Sequence, residues 1–448
     1  MLRFLFFIFF ILSIQLRAQQ KWSLRQCVEY AVKNNLKIIQ NNYQKNIQDK
    51  NLEMAKKEKL PMVSGAIANT TSFGQNQDIF GNLKRNDNFS NNANISANIT
   101  VYNYGRLNKN IKKIEYEVEA SQYDTETIKN DISLQIAQQY LSILLNKEIA
   151  KINLSTLQNA QKMYNRAKIT TEVGTTSQTV LAEAEAALVR EKQNTRIAEI
   201  NIRRSLFDLA QLLMIPDYNN FDIEDLSTPE TLSQETLEYS EILAKAQETQ
   251  PQIKAANSRI NAAKIQIEVV KTNFYPTITV SMGIGTFYFN SLVTNITGYD
   301  IYGKSTSEKV FFQQYINNFG QQIGLNINIP IFNKGITKLQ VEQAKLNENI
   351  AKNVLEQTKL EIKQNIQKAQ FDAEVNYETY LAAMESEKSS KLALDFAEKS
   401  YEAGRTTIYD FNIARNNYVN AKGATAQAKY NYLFSIKLFN FYKTSHLE

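Results

Sequence analysis

The sequence predicts a mostly α protein with membrane β-strands, built from a duplicated helix-strand-strand-helix-helix unit. Three observations carry this. Residues 106–170 contain neither Gly nor Pro, and about 65 residues at 1.5 Å each predict a helix roughly 100 Å long, which cannot fold into a compact globule. Four segments alternate apolar with small polar residues over about ten positions, the length of a tilted membrane strand. The second half of the chain also repeats the plan of the first.

Composition narrows the function classes. The 448 residues include only 6 Pro and 14 Gly, which favours long uninterrupted elements over a loop-rich enzyme. Cys27 has no second cysteine to pair with, and His446 alone builds neither a His/Cys metal site nor a His-based triad. No G-x-x-x-x-G-K-S/T or G-x-G-x-x-G run is present to cradle a nucleotide phosphate. No catalytic residue, cofactor or metal is expected, and a formal charge of +6 names no acidic partner.

Residues 1–18 start with a basic Arg3, continue as an apolar run from Phe4 to Leu12 and on to Ile14, and end in Leu16-Arg17-Ala18. This is the pattern of a cleaved secretory signal peptide with Gln19 as the first mature residue. The run falls short of the about 18 apolar residues of a membrane anchor. Cys27 lies inside an amphipathic pattern as a small core residue. Ser23 with Gln26 makes a capping box, followed by Leu24, Val28, Ala31 and Val32 on one helical face. No later apolar run spans a bilayer as a helix, so any crossing is made by strands.

The first structural repeat covers residues 19–215, with strands at about 62–73 and 89–101 and a hairpin tip at about 171–176. The second covers 236–448, with strands at about 277–289 and 319–331 and a tip at about 401–406. Pro61 falls on Pro276 at an offset of 215, whereas Gly105 falls on Gly335, and Gly174 on Gly404, at an offset of 230. The step of 15 gives the second half a longer loop within residues 290–318. After the first tip, Val180, Ala184, Ala187, Leu188, Ile202, Leu206, Leu209 and Leu213 form a coiled-coil-like stripe. Each long helix therefore folds back as an antiparallel hairpin, turning at Gly174 or Gly404, where a tight turn needs φ > 0. Asn103 and Asn333 are read as N-caps of the long helices. Residues 216–235 carry Pro216, Asp217, Asp222, Glu224, Asp225 and Glu230 and form a connector, either simply solvated or a partner surface.

In the second strand segment Phe89, Asn91, Ala93, Ile95, Ala97, Ile99 and Val101 share one face, and Ser90, Asn92, Asn94, Ser96, Asn98 and Thr100 the other. Ile278, Val280, Met282 and Ile284 alternate similarly, as do Ile323, Leu325, Ile327 and Ile329. A soluble sheet packed on helices would alternate in the same way. Three features favour lipid on the apolar face: a polar face almost free of charge, rods too long to fold over the strands, and the export signal. Closed membrane barrels start at about eight strands and an open edge cannot face lipid, so a barrel of four-stranded chains must be shared between copies. Tyr288, Tyr299, Tyr302, Phe311, Phe312 and Tyr315 form either an interface belt or a surface plug.

Several short motifs recur in order. They are Trp22-Ser23-Leu24-Arg25-Gln26-Cys27-Val28-Glu29-Tyr30-Ala31, the strand entries Leu60-Pro61 and Tyr275-Pro276, and the junctions Tyr102-Asn103-Tyr104-Gly105 and Ile329-Pro330-Ile331-Phe332-Asn333-Lys334-Gly335. The tips Glu172-Val173-Gly174-Thr175-Thr176 and Tyr401-Glu402-Ala403-Gly404-Arg405-Thr406-Thr407 complete the set. Over essentially the whole mature chain this order resembles the TolC-like outer membrane efflux proteins (outer membrane factors). The resemblance implies a homotrimer with a twelve-stranded β-barrel continuing into a long periplasmic α-helical barrel. It implies a passive exit duct in the cell outer membrane for a tripartite efflux pump or type I secretion system. The implied partners are a periplasmic adaptor (membrane fusion) protein, an inner-membrane pump or secretion transporter, and outer-membrane lipid, with no nucleic acid.

By the same resemblance, adaptor docking falls on the tips at Gly174, Thr175, Thr176, Gly404, Arg405 and Thr406, and the pore gate on Asp410, Tyr401, Arg405, Thr406 and Thr179. The chain departs from the family pattern at the gate. Its tying Arg is one residue early at Arg405, the second ring aspartate is Ile413, and the partner Asp is Val180 beside Thr179. A ring of Asp410 carboxylates would be a collar favouring cations; an ordinary solvated Asp is the other reading. Two further function classes compete. A periplasmic coiled-coil adaptor or scaffold should have one hairpin flanked by Gly-rich β domains, and an exported hydrolase needs a carboxylate constellation that does not stand out here.

Overall fold

The computed structural model describes residues 21–77, 81–85, 87–225, 232–234, 238–292, 298–299, 305–306 and 311–444. The signal at 1–18, part of the connector, Tyr302 and His446 lie outside the described residues. The chain begins with α1 (Leu24–Asn34), α2 (Leu36–Lys57), β1 (Met62–Ser72), β2 (Gln75–Gln77), β3 (Leu83–Arg85) and β4 (Asn88–Tyr102). It continues through α3 (Arg106–Glu172), α4 (Gln178–Leu213), α5 (Tyr239–Thr249), α6 (Pro251–Lys271) and β5 (Thr277–Ser291). Next come β6 (Gly298–Tyr299), β7 (Ser305–Thr306), α7 (Phe311–Asn317), β8 (Gly320–Asn328), α8 (Ile336–Glu402) and α9 (Ile408–Thr444). The protein is mostly helical with a small sheet. Helices α3 and α8 are each 67 residues long, the length that an unbroken stretch without Gly or Pro permits.

The chain forms two compact units, and neither coincides with one sequence repeat. Among the described residues, the first lies within 1–45, 120–257 and 354–448. Its main core gathers Cys27, Ala31, Ile136, Tyr140, Leu144, Leu209, Leu213 and Ile223. Ser23 caps α1 as the sequence predicts: its hydroxyl accepts from Gln26 N, and the Gln26 side chain accepts from Ser23 N. The connector is stitched back onto the N-terminal segment, with Trp22 N donating to Asp222 O at 2.9 Å and Glu224 N to Trp22 O at 3.0 Å. Tyr140 Oη donates to Glu224 O at 2.7 Å and to Trp22 O at 3.2 Å. Lys147 Nζ reaches Ile223 O and the Asp222 carboxylate at 2.9 and 2.7 Å.

Cys27 is fully buried, and burial pushes its thiol up to about 12, against the smaller opposing effect of a backbone hydrogen bond. The reactive thiolate is therefore scarce at neutral pH. Native protein is expected to resist maleimide at pH 7–8 and to take up one label per chain on unfolding, read by intact mass; rapid labelling of native protein would contradict this burial.

The second unit comprises residues 46–119 and 258–353. Its sheet has the order β1-β4-β5-β8 with every pair antiparallel. A register shift between Thr100 and Tyr102 interrupts the alternation of β4, so the regular face series ends at Ile99, short of Val101. Ala55, Ile111 and Ile114 pack together, with Leu52 and Val118 against them.

Asn103 and Asn333 are not N-caps. Their carbonyls accept from Arg106 N and Ile336 N, and the helices start only after a pair of left-handed residues, Tyr104-Gly105 (φ 53° and 73°) and Lys334-Gly335 (φ 56° and 76°). Side-chain capping by the two asparagines is displaced because that paired turn, repeated in both halves, separates each of them from the first helical turn. Tyr104 stacks on Tyr275 with ring centroids 3.5 Å apart, and Lys109 Nζ sits over the Tyr104 ring.

Strand β5 outruns β8, whose pairing stops at Gly285–Gly320. Beyond that point amide side chains from the α7 segment take the place of a strand. Gln314 Nε2 donates to Phe289 O, Phe289 N donates to Gln314 Oε1, and Asn318 Nδ2 donates to Phe287 O. Of the loop aromatics, Phe311 packs against Tyr288, Phe312 and Tyr315.

Candidate functional site

The sheet is a candidate membrane-facing surface. None of β1, β4, β5 and β8 contains Asp, Glu, Lys or Arg. The register stacks like residues in rows across the strands. One face carries Val63-Ala97-Met282-Ile323 and, further along, Ile99-Val280-Leu325. The opposite face carries Ser64-Ser96-Gly283-Gln322 and Met62-Asn98-Ser281-Gly324, where Met62 is the one apolar member. The apolar rows are uncovered: Val63 is 64% exposed, Leu325 65% and Ile323 79%. An exposed apolar face of this extent marks a surface that meets something other than water. Strands β1 and β8 each have one unpaired edge within the sheet, and no helix among the described residues is long and apolar enough to cross a membrane.

The two tips share one geometry. Gly174 N donates to Thr171 O and Thr175 N to Thr170 O; Gly404 N donates to Tyr401 O and Arg405 N to Ser400 O. This is a Schellman closure, with Gly174 at φ 83° and Gly404 at φ 71°, so a side chain at either position is strained. At the first tip the Thr176 hydroxyl bonds those of Thr170 and Thr171, at 2.8 and 3.0 Å, and the Thr175 hydroxyl donates to Thr170 O. Thr179 is exposed.

At the second tip Thr407 and Asp410 form a capping box for α9. Asp410 N donates to Thr407 Oγ1, while Asp410 Oδ2 accepts from Thr407 N and from the hydroxyls of Thr407 and Thr406. The Thr407 hydroxyl, then its backbone N–H, then Thr406 hold the Asp410 carboxyl below the usual aspartate value. Asp410 is exposed and ionised at neutral pH, and its bonds go to threonines. Arg405 is exposed and forms no ion pair among the described residues. Tyr401 stacks on Phe411 at 5.5 Å and lies with Val180 in the cluster built on Ala167, Ala184 and Ile408. At Val180, an apolar contact thus stands where the resemblance implies an Asp partner.

Known proteins share this fold. The outer membrane efflux protein family profile matches residues 28–213 and 242–435, most of the chain. The chain belongs to the outer membrane efflux protein family. The outer membrane efflux protein BepC of Brucella suis is 22% identical over 403 residues, covering 89% of this chain and 80% of BepC. The outer membrane protein TolC of Escherichia coli is 24% identical over 319 residues, covering 68% of this chain and 61% of TolC. The crystal structure of the Campylobacter jejuni CmeC outer membrane channel superposes with a TM-score of 0.73 at 20% identity, covering 94% of this chain and 85% of CmeC. BepC is described as an efflux protein and CmeC as an outer membrane channel, and this chain shares the fold of CmeC.

This member of the family also holds a buried charge pair that sequence reasoning missed. Glu191 of α4 and Arg415 of α9 are 3% and 4% exposed, with Arg415 Nη2 3.8 Å from Glu191 Oε1. The other Glu191 oxygen accepts from Asn194 Nδ2. Burial pushes the guanidinium pKa down; Glu191 opposes the fall and Arg190 adds to it. The signal was present: Glu191 lies on the stripe of Ala184, Leu188, Thr195 and Ala198, and Arg415 on that of Ile408 and Phe411, all buried. A charge at a stripe position is the cue. Among the described residues no group of three or more His, Cys, Asp or Glu side chains is arranged to hold a metal.

Proposed function

We propose that the protein is the passive exit duct of a tripartite efflux pump or secretion system in the outer membrane of a Gram-negative-type envelope. Export uses the 1–18 signal, and the 19–215 and 236–448 repeats are the products of duplication. Three copies join the free edges of β1 and β8 into a twelve-stranded barrel, which removes both edges from lipid. The helices continue as a periplasmic conduit. The Gly174 and Gly404 tips dock a periplasmic adaptor and an inner-membrane transporter, and Asp410, Tyr401, Arg405, Thr406 and Thr179 line the gate. The observation that carries this reading is the uncharged four-stranded sheet with an uncovered apolar face and two free edges. Family membership and the channel fold of the relatives support it.

The test is the native mass and membrane fraction of the detergent-extracted mature protein. Three chains per particle in the outer membrane are expected. A soluble periplasmic monomer would overturn the reading and favour a coiled-coil scaffold.

A further inference from the structure

Glu191 and Arg415 are placed where two helices meet near the tips, with Arg415 less than two turns beyond Asp410 on α9. Their bonding is incomplete. Arg415 Nε and Nη2 are buried without a hydrogen-bond partner, and the 3.8 Å approach to Glu191 is longer than a hydrogen bond. An apolar contact acts between the same helices in the opposite sense: Ile408 of α9 packs with Ala184 of α4 and with Ala167 of α3, while Tyr401 stacks on Phe411 within the second hairpin.

We propose that Glu191 and Arg415 are a positioning pair that sets how readily α9 parts from α4 beside the tips, an inference that rests on the gated-duct reading above. Two guanidinium nitrogens buried without acceptors have given up hydration that the protein does not replace. Parting the helices returns it to water, so Arg415 lowers the cost of parting. The Glu191 carboxylate limits that bias by Coulomb attraction in a poorly screened setting. Removing Glu191 alone leaves the buried cation uncompensated and shifts the balance toward parting. Replacing both residues with apolar side chains removes the bias. A pair serving only to hold the fold would change assembly and native mass in the same two directions; a change in the open-to-closed balance of an intact oligomer is what sets a positioning pair apart.

Single-channel recording of the purified native oligomer in a planar bilayer tests this with Glu191→Gln and with the double variant Glu191→Leu/Arg415→Met. Glu191→Gln is expected to raise the ratio of high- to low-conductance dwell time about tenfold. The double variant is expected to lower that ratio below wild type, both variants keeping the wild-type native mass. Should Glu191→Gln fail to assemble, Asn194→Ala takes its place: it frees the second Glu191 oxygen for Arg415 and is expected to lower the ratio. Unchanged ratios in oligomers that conduct overturn the inference and leave the duct reading standing. A wild-type oligomer that never conducts overturns the duct reading, and the inference falls with it.

Discussion

Ile95→Arg is expected to keep the protein out of the outer membrane, whereas Ser96→Arg, one residue along, is expected to insert normally. Ile95 is the central residue of β4 and shares its row with Gly65, Ile284 and Gln321 on the apolar side of the sheet. An arginine at the midplane of a lipid-facing surface costs about 2–4 kcal/mol per copy, and an assembly multiplies that cost by its number of chains. Ser96 belongs to the opposite row with Ser64, Gly283 and Gln322. There Ser64 and Gly283 leave room for a long side chain, and in the proposed barrel this face meets water. The measurement is the fraction of heat-resistant oligomer in outer-membrane preparations. Equal behaviour of the two variants would mean that the sheet does not divide lipid from water.

The second large effect lies in the other compact unit. Tyr140→Ala is expected to destabilise that unit by about 3–5 kcal/mol, because a fully buried aromatic ring is lost together with its hydrogen bonds. Tyr140→Phe isolates the hydroxyl and is expected to cost about 1–2 kcal/mol. The readout is built in. Trp22 is the chain's single tryptophan and packs edge-on against Tyr30 and Phe221, next to the carbonyls that Tyr140 holds. Denaturant unfolding followed by Trp22 fluorescence should show the order wild type, Tyr140→Phe, Tyr140→Ala. Tyr43→Ala, at an exposed helix position, serves as the control, and an equal shift from it would contradict the core assignment.

The helical bulk and the small sheet were legible because both leave local marks. Helices α3 and α8 run through stretches without Gly or Pro, and the capping box at Ser23 and Gln26 is a contact three residues apart. Interactions spanning the chain left weaker marks. Nothing local says that β4 pairs with β5, or that the Gln314 amide completes the edge at Phe289, since each contact depends on distant segments meeting. At the junctions, local chemistry was misleading. Asn is a favoured N-cap, yet the paired left-handed residues at Tyr104-Gly105 and Lys334-Gly335 move the helix start beyond Asn103 and Asn333. At the second tip, residue identity exposed the departures from the family pattern, but only coordinates reveal the Thr407–Asp410 box and the Tyr401–Phe411 stack.

The pairing of β4 with β5 also governs the order in which the chain can be completed. These strands are sequence-distant, with α3 to α6 between them. A nascent chain that ends before residue 277 can make only the β1–β4 hairpin of the main sheet, and a lone two-stranded hairpin is marginal in water. Because long loops must close before distant strands reward one another, the sheet is a late product of synthesis. The interval between translation of β4 and arrival of β5 is when an unpaired, apolar strand most needs shielding from other chains.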